Sequence, residues 1–390
     1  MALEVGMIKE AESAKIFMLY LLKQAITVGA DDTFIISNFS PAFKVDGKLT
    51  PQFNDRLNPD QARLLVYAIM NDKQKRQYEA EKECNFAIAH PDGGRFRVNA
   101  YLEQGKPAMV LRKINTKVPT LSDLKLPSVL ADVIMERKGL VLVVGQTGSG
   151  KSTTLAAMID YRNKNTHGHI LSIEDPVEFV HSHQSCIVSQ REVGVDTESW
   201  HNAIKSALRQ APNVVLIGEI RDHEAMEYAL QFAETGHLCV ATIHATNTIQ
   251  AIERIVNLFP AEKHHQVYMN LSLNIKAIVG QRLIPLESGK GRAAAIEIML
   301  NTSTIADYIF KRQLDPIRDA IVKSRDLGMQ TFDQALFDLY ESEQISYEEA
   351  LKNADSLNDV KMRIRLEGTR AKKDGAADST MNETMSLKIL

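Results

Sequence analysis

GQTGSGKST occupies Gly145–Thr153, entered from the apolar run Gly139-Leu140-Val141-Leu142-Val143-Val144 and left through Thr154-Leu155-Ala156-Ala157-Met158-Ile159. Glycines at the first and sixth positions, followed by lysine and serine, let backbone N–H groups at a helix N-terminus crowd around phosphate oxygens. An apolar strand before the loop and a helix-forming run after it supply the setting this chemistry needs. Gly145, Gln146, Thr147, Gly148, Ser149, Gly150, Lys151, Ser152 and Thr153 therefore form a candidate cradle for ATP. Lys151 is placed for the β- and γ-phosphates, and the Ser152 hydroxyl for Mg2+.

Outward from the loop, short β-branched runs at Leu140–Val144, Ile170–Ile173, Val214–Ile217 and Leu238–Ile243 alternate with longer helical stretches. Continuous apolar runs of that length are expected of parallel strands buried on both faces, so the spacing predicts a doubly wound α/β sheet. Each run ends in polar residues: the loop itself, Glu174-Asp175, Gly218-Glu219 and His244. Ligands of open α/β sheets bind beyond the carboxyl ends of strands, so these motifs are expected to share one crevice. Glu219 is the candidate for polarising the attacking water or holding a magnesium-bound water. Glu174 adds acidic character that a magnesium ion would accommodate. His237 and His244 bracket the last strand, and His244 is the candidate partner of the γ-phosphate. Arg95, Arg97 and Arg112 lie upstream; as residues on strands they serve equally well as surface groups or as arginines completing a site in trans.

At 390 residues the chain has material for two or three domains. The first part mixes a helix over Ala14–Val28 with strand-like runs at Thr33–Ser37 and Arg95–Ala100, which predicts a small α+β domain over 1–113. A polar, proline-containing linker is placed at 114–122 and the ATPase domain at 123–355. Met329, Phe332, Leu336 and Leu339 fall at helical spacing there, and Ser346-Tyr347-Glu348-Glu349 reads as a capping box. Residues 356–390, charged and rich in small side chains, are read as a disordered tail.

The formal charge of −3 argues against an extended nucleic-acid surface, and no nucleic-acid partner is expected. Three scattered cysteines without a CxxC pair fit reduced thiols and leave no zinc ribbon. The apolar run Ile16–Leu22 stops far short of the ~20 residues that span a bilayer. A cytoplasmic location follows, with any membrane role exercised through a partner.

The ordered strings GQTGSGKST, ILSIEDPVEFVH, LRQAPNVVLIGEIRD and ETGHLCVATIHATNTIQAIERIVNLFP resemble the Walker A, Asp, Walker B and His boxes of the secretion ATPases of the type II/type IV pilus superfamily. The likeness extends over roughly residues 1 to 355 and is strongest to the retraction branch, the PilT/PilU group. ECNFAI, LRQAP, ETGHLC and LGMQTFDQAL look closer to its PilU side. The resemblance implies a PAS-like amino-terminal domain joined to a RecA-like ATPase domain, a homo-hexamer, and a place at the inner-membrane base of a pilus. It implies a PilT-like retraction ATPase and the platform protein PilC as partners, with Arg97 and Arg112 reaching the phosphates. Glu174, Glu219, His237 and His244 match the catalytic boxes. Two stretches depart from the pattern: Ser303–Lys311 replaces an AIRNLIRE-type helix, and Ala30–Ile35 an ASDLHL-type motif. The competing readings are a PilT-binding structural or regulatory subunit with little turnover of its own and, more remotely, a DNA translocase, which would need basic pore loops.

Overall fold

The computed structural model describes residues 4–45, 47–114 and 117–370. Two compact units divide them. The first takes the chain up to Val118 together with Asp175–His181 and Arg191–Ser199; the second takes Pro119–Glu174, Ser182–Gln190 and the chain from Trp200 onward. The main division, between Val118 and Pro119, falls in the 114–122 linker, and two later segments cluster with the leading unit as well. Composition carries no signal of such an exchange.

In the first unit, strands β1 (Asp32–Ile36), β2 (Ala42–Val45), β3 (Lys48–Pro51), β4 (Glu83–Ala89), β5 (Arg95–Glu103) and β6 (Lys106–Ile114) form one sheet in the order β3-β2-β1-β6-β5-β4. Every pairing in it is antiparallel. The helix Ala11–Val28 buries Ala14, Phe17, Met18, Leu21, Leu22 and Ala25, the three-and-four spacing of a single face. Gly29 ends it at φ 71°, a left-handed conformation that glycine adopts without a Cβ penalty. That face packs with Phe43, Phe86 and Phe96 in one core.

The second unit is built on β7 (Gly139–Val144), β8 (Gly168–Glu174), β9 (Cys186–Glu192), β10 (Val214–Ile217), β11 (Leu238–Ile243), β12 (Ile275–Pro285) and β13 (Arg292–Leu300), ordered β13-β12-β7-β11-β10-β8-β9. The four runs read from the sequence are neighbours, and β7, β11, β10 and β8 run parallel. All six residues of β7 and of β11 are buried, as strands covered on both faces require. β12 continues the parallel block beside β7, and β13 returns antiparallel from Pro285↔Arg292 to Ala277↔Leu300.

The tail reading fails at its start. Ser356 caps a helix over Leu357–Glu367, its hydroxyl accepting from Asp359 N–H. Val360 and Ile364, one turn apart, enter a core with Phe332, Leu336, Phe337 and Tyr340 of the helix Phe332–Glu341. Only Val360 and Ile364 of the segment's five apolar residues are buried, and they pack against residues distant in sequence, which composition does not register. The rest of that predicted tail, 371–390, lies outside the described residues. Val360 is 1% exposed, so Val360→Ala should cost about 2 kcal/mol of unfolding free energy in urea denaturation, from lost burial and the cavity left behind.

Candidate nucleotide site

The loop after β7 owes its shape to glycines that nothing else can replace. A Cβ on Gly145 would stand 2.4 Å from Ser149 Oγ and 2.6 Å from the Gln281 carbonyl oxygen; one on Gly150, at φ 87°, would stand 2.8 Å from Gln281 Nε2. Gln281, on β12, thus braces the loop at both ends, and its Oε1 accepts from the buried Thr154 hydroxyl at 2.8 Å. The helix Lys151–Asn165 opens immediately after Gly150, leaving its first N–H groups facing the loop. Lys151 Nζ donates to the carbonyls of Gly145 and Gln146, both at 2.9 Å. Ser149 Oγ is buried and unpartnered among the described residues. A curled lysine, an unpartnered hydroxyl and a cradle that a Cβ would fill fit a polyphosphate.

The neighbouring strand ends bring in the acid and the base. Glu219 follows β10 and His244 follows β11, and His244 Nε2 lies 3.0 Å from Glu219 Oε1. Arg221 Nε donates to the other carboxylate oxygen at 2.7 Å. Thr242 Oγ1 donates to the Gly218 carbonyl at 2.6 Å, fixing the turn that delivers Glu219. Glu174 ends β8, where Gln190 Nε2 donates to its Oε1 at 3.3 Å. Gly218 packs closely here, since a Cβ on it would lie 3.2 Å from Glu174 Cα and from the Ile173 carbonyl oxygen. A cleft of about 460 Å3 joins Gly145–Thr147 to His244 and Thr246. Of the expected strand-end residues, His244 lines this cleft with the loop, Glu219 reaches it through His244, and Ser152 sits half-buried at the head of the P-loop helix.

His237 lies apart from this group. It precedes β11 at the amino end, with Nδ1 near Thr235 Oγ1 at 3.1 Å and the ring edge-on to Phe232. A six-residue strand separates it by about 20 Å from His244, at the end away from the phosphate cradle. Bracketing a strand puts two residues at its opposite ends, which the sequence reading passed over.

Arg97 and Arg112 belong to the first unit and face each other across β5 and β6, with Asp32 of β1 opposite Arg112 in the same row. Like charges directly opposed cost energy, and Asp32 offsets this: Arg112 Nε donates to its Oδ1 at 2.7 Å. Asp32 also stabilises the charged guanidinium further. In the same unit, burial pushes the Glu192 carboxyl above its ordinary value, while the Val177 N–H at 3.2 Å and the charges of Arg97 and Arg95 pull it down.

Several contributors carried no motif. Arg282 and Arg292, from β12 and β13, line a second cleft of about 410 Å3 with Gly145–Ser149, Thr246 and Lys352–Ala354. Both arginines are scattered charges on strands that the sequence reading did not find. Among the described residues no three His, Cys, Asp or Glu side chains converge as a metal site.

The profile of the type II/IV secretion system protein family matches residues 9–325. The chain is 50% identical to the type IV pilus ATPase PilU of Pseudomonas aeruginosa over 369 residues, 95% of this chain and 96% of that protein. It is 42% identical to the type IV pilus retraction ATPase PilT of the same organism, over 86% of this chain and 97% of that one. Among solved structures, the pilus retraction motor PilT with bound ADP superimposes with a TM-score of 0.81 at 36% identity, covering 88% of this chain and 98% of the other. Among the described residues, no helix is long and apolar enough to cross a membrane.

Proposed function

The chain belongs to the type II/IV secretion system protein family, and from that premise we propose that it is an ATP-hydrolysing motor subunit assisting type IV pilus retraction. The observation that carries the reading is the Glu219–His244 pair, 3.0 Å apart at adjacent strand ends beside an intact P-loop. A chain kept only as a scaffold has no need of that pair.

In turnover, the amide groups at the head of the helix Lys151–Asn165 bind the phosphates, and Lys151 exchanges its two carbonyl partners for phosphate oxygens. Magnesium, when bound, neutralises charge developing on the phosphates; Ser152 and Glu219 are the residues that would hold it or its water. Glu219 orients the attacking water and takes its proton, and His244 holds the carboxylate in place. Glu174 contributes a further negative charge at the crevice. Arg97 and Arg112, from a leading unit read as PAS-like, would complete the site in a homo-hexamer of RecA-like domains, as arginines supplied in trans do elsewhere. Arg112 would have to leave Asp32 to do so. Closing and opening of such sites would drive the platform protein PilC at the cytoplasmic face of the inner membrane, with the chain acting beside a PilT-like motor.

Pilus retraction tests this in four strains: one lacking this protein, one lacking the PilT-like motor, one whose motor has a disabled Walker lysine, and that last strain carrying Lys151→Ala here. Retraction with the disabled motor that disappears with Lys151→Ala is the expected result. Retraction unaffected by Lys151→Ala would favour a structural or regulatory subunit instead.

A further inference from the structure

We propose that Arg282 is a positioning residue for ATP turnover, holding the loop after His244 and tying it to the segment Asn353–Asp355, which leads into the C-terminal helix Leu357–Glu367. The inference rests on reading Glu219 and His244 as the hydrolytic pair. Arg282 follows Gln281, the brace of the P-loop, on β12. Its Nη2 lies 2.7 Å from Asp355 Oδ1, and its Nη1 donates to the Asn353 carbonyl at 2.9 Å. The guanidinium lies over the Phe332 ring at 3.9 Å. A longer bond, 3.4 Å, runs from Nη2 to the Thr246 carbonyl.

These partners decide between two roles. Arg282 lines the cleft beside Gly145 and Gly148, where a free guanidinium would bind phosphate. Its donors are instead aimed at one carboxylate and two carbonyls, and its face at a ring. Its work is therefore to fix the loop. Thr246 is two residues from His244, and the same loop is held elsewhere by the Gln250 side chain, which accepts from Thr246 N–H at 2.7 Å. Glu297 accepts from Thr248 N–H at 2.7 Å. Arg282 adds the tie to the C-terminal segment, so a shift of Asn353–Asp355 reaches Thr246 and then the 3.0 Å contact of His244 with Glu219. Reacting geometries tolerate little displacement, and an error near 1 Å costs up to ~10²-fold in rate.

The test compares full-length wild type, Arg282→Gln, Asp355→Asn and the double variant in steady-state ATPase assays, fluorescent-ATP binding and thermal melts. Each single variant is expected to lower kcat by about tenfold, with KM and nucleotide affinity within about twofold. The double variant should lose no more than Arg282→Gln alone, because both changes cut one connection. Arg282→Lys should fail to rescue, since an ammonium cannot serve the carboxylate and both carbonyls from one plane. A kcat within twofold of wild type with a lowered melting temperature would overturn the proposal in favour of a simple staple of the C-terminal helices. A raised KM at unchanged kcat would overturn it in favour of direct nucleotide contact. Should Arg282→Gln not fold, Asp355→Asn carries the same comparison with Arg282 intact. Wild-type protein that binds ATP without turnover would instead overturn the hydrolytic reading, and the inference with it.

Discussion

Glu219→Gln is expected to lower ATP turnover by about 10²–10³-fold while leaving nucleotide affinity within about twofold. The amide keeps the size of the carboxylate and an oxygen for Arg221 or His244 to address, so the turn after β10, pinned by Thr242 on Gly218, should persist. What disappears is the negative charge that orients water and accepts its proton. Affinity is held by other groups, the Gly145–Lys151 backbone and the Lys151 ammonium. Phosphate-release kinetics and equilibrium binding of a fluorescent ATP analogue measure the two sides separately. A loss of turnover below threefold would move the base elsewhere, and a parallel loss of binding would make Glu219 chiefly a magnesium holder.

That the central site was legible in the sequence follows from how its parts are made. Val214–Ile217 and Leu238–Ile243 are read to the residue, because strands buried on both faces carry no charged side chain and read as near-continuous apolar runs. The same property puts Glu219 and His244 at known strand ends, and parallel pairing of the strands makes them neighbours. β12 and β13 escaped because their sequences mix buried and polar positions. Lys276, Gln281 and Arg282 interrupt β12, and Ala293-Ala294-Ala295 in β13 has no strand propensity. With those strands went Arg282, Arg292 and the Gln281 brace. The helix Leu357–Glu367 escaped for a different reason: its folding depends on partners far back in the chain, Phe337 and Tyr340, which local composition does not see. Asp333 reinforces it from the same distance, accepting from the N–H groups of Asp355 and Ser356 at 2.7 and 3.1 Å.

Glu297 gives the second large effect, on stability against pH. It lies on β13 opposite Gly280, the residue of β12 paired with the end of β7. Burial pushes its carboxyl from an ordinary 4.5 up to about 7; Asp355 adds to the rise, while the Thr248 N–H and the Arg282 charge oppose it. Between pH of about 4.5 and about 7 the folded chain therefore holds this proton and the unfolded chain releases it. Stability from the group is complete below the unfolded value and is lost as pH rises through the folded one, by about 3 kcal/mol in all. Glu297→Gln stays neutral, keeps an oxygen for Thr248 N–H, and removes this loss. Urea denaturation at pH values of about 4.5 and 8 should show wild type losing about 3 kcal/mol more than Glu297→Gln over that span. Taking the difference cancels the other groups whose pKa burial raises, Glu192 and Asp333 among them. Equal slopes would mean that Glu297 is ionised in the folded chain across the whole range, its charge carried by Arg282 and the Thr248 amide.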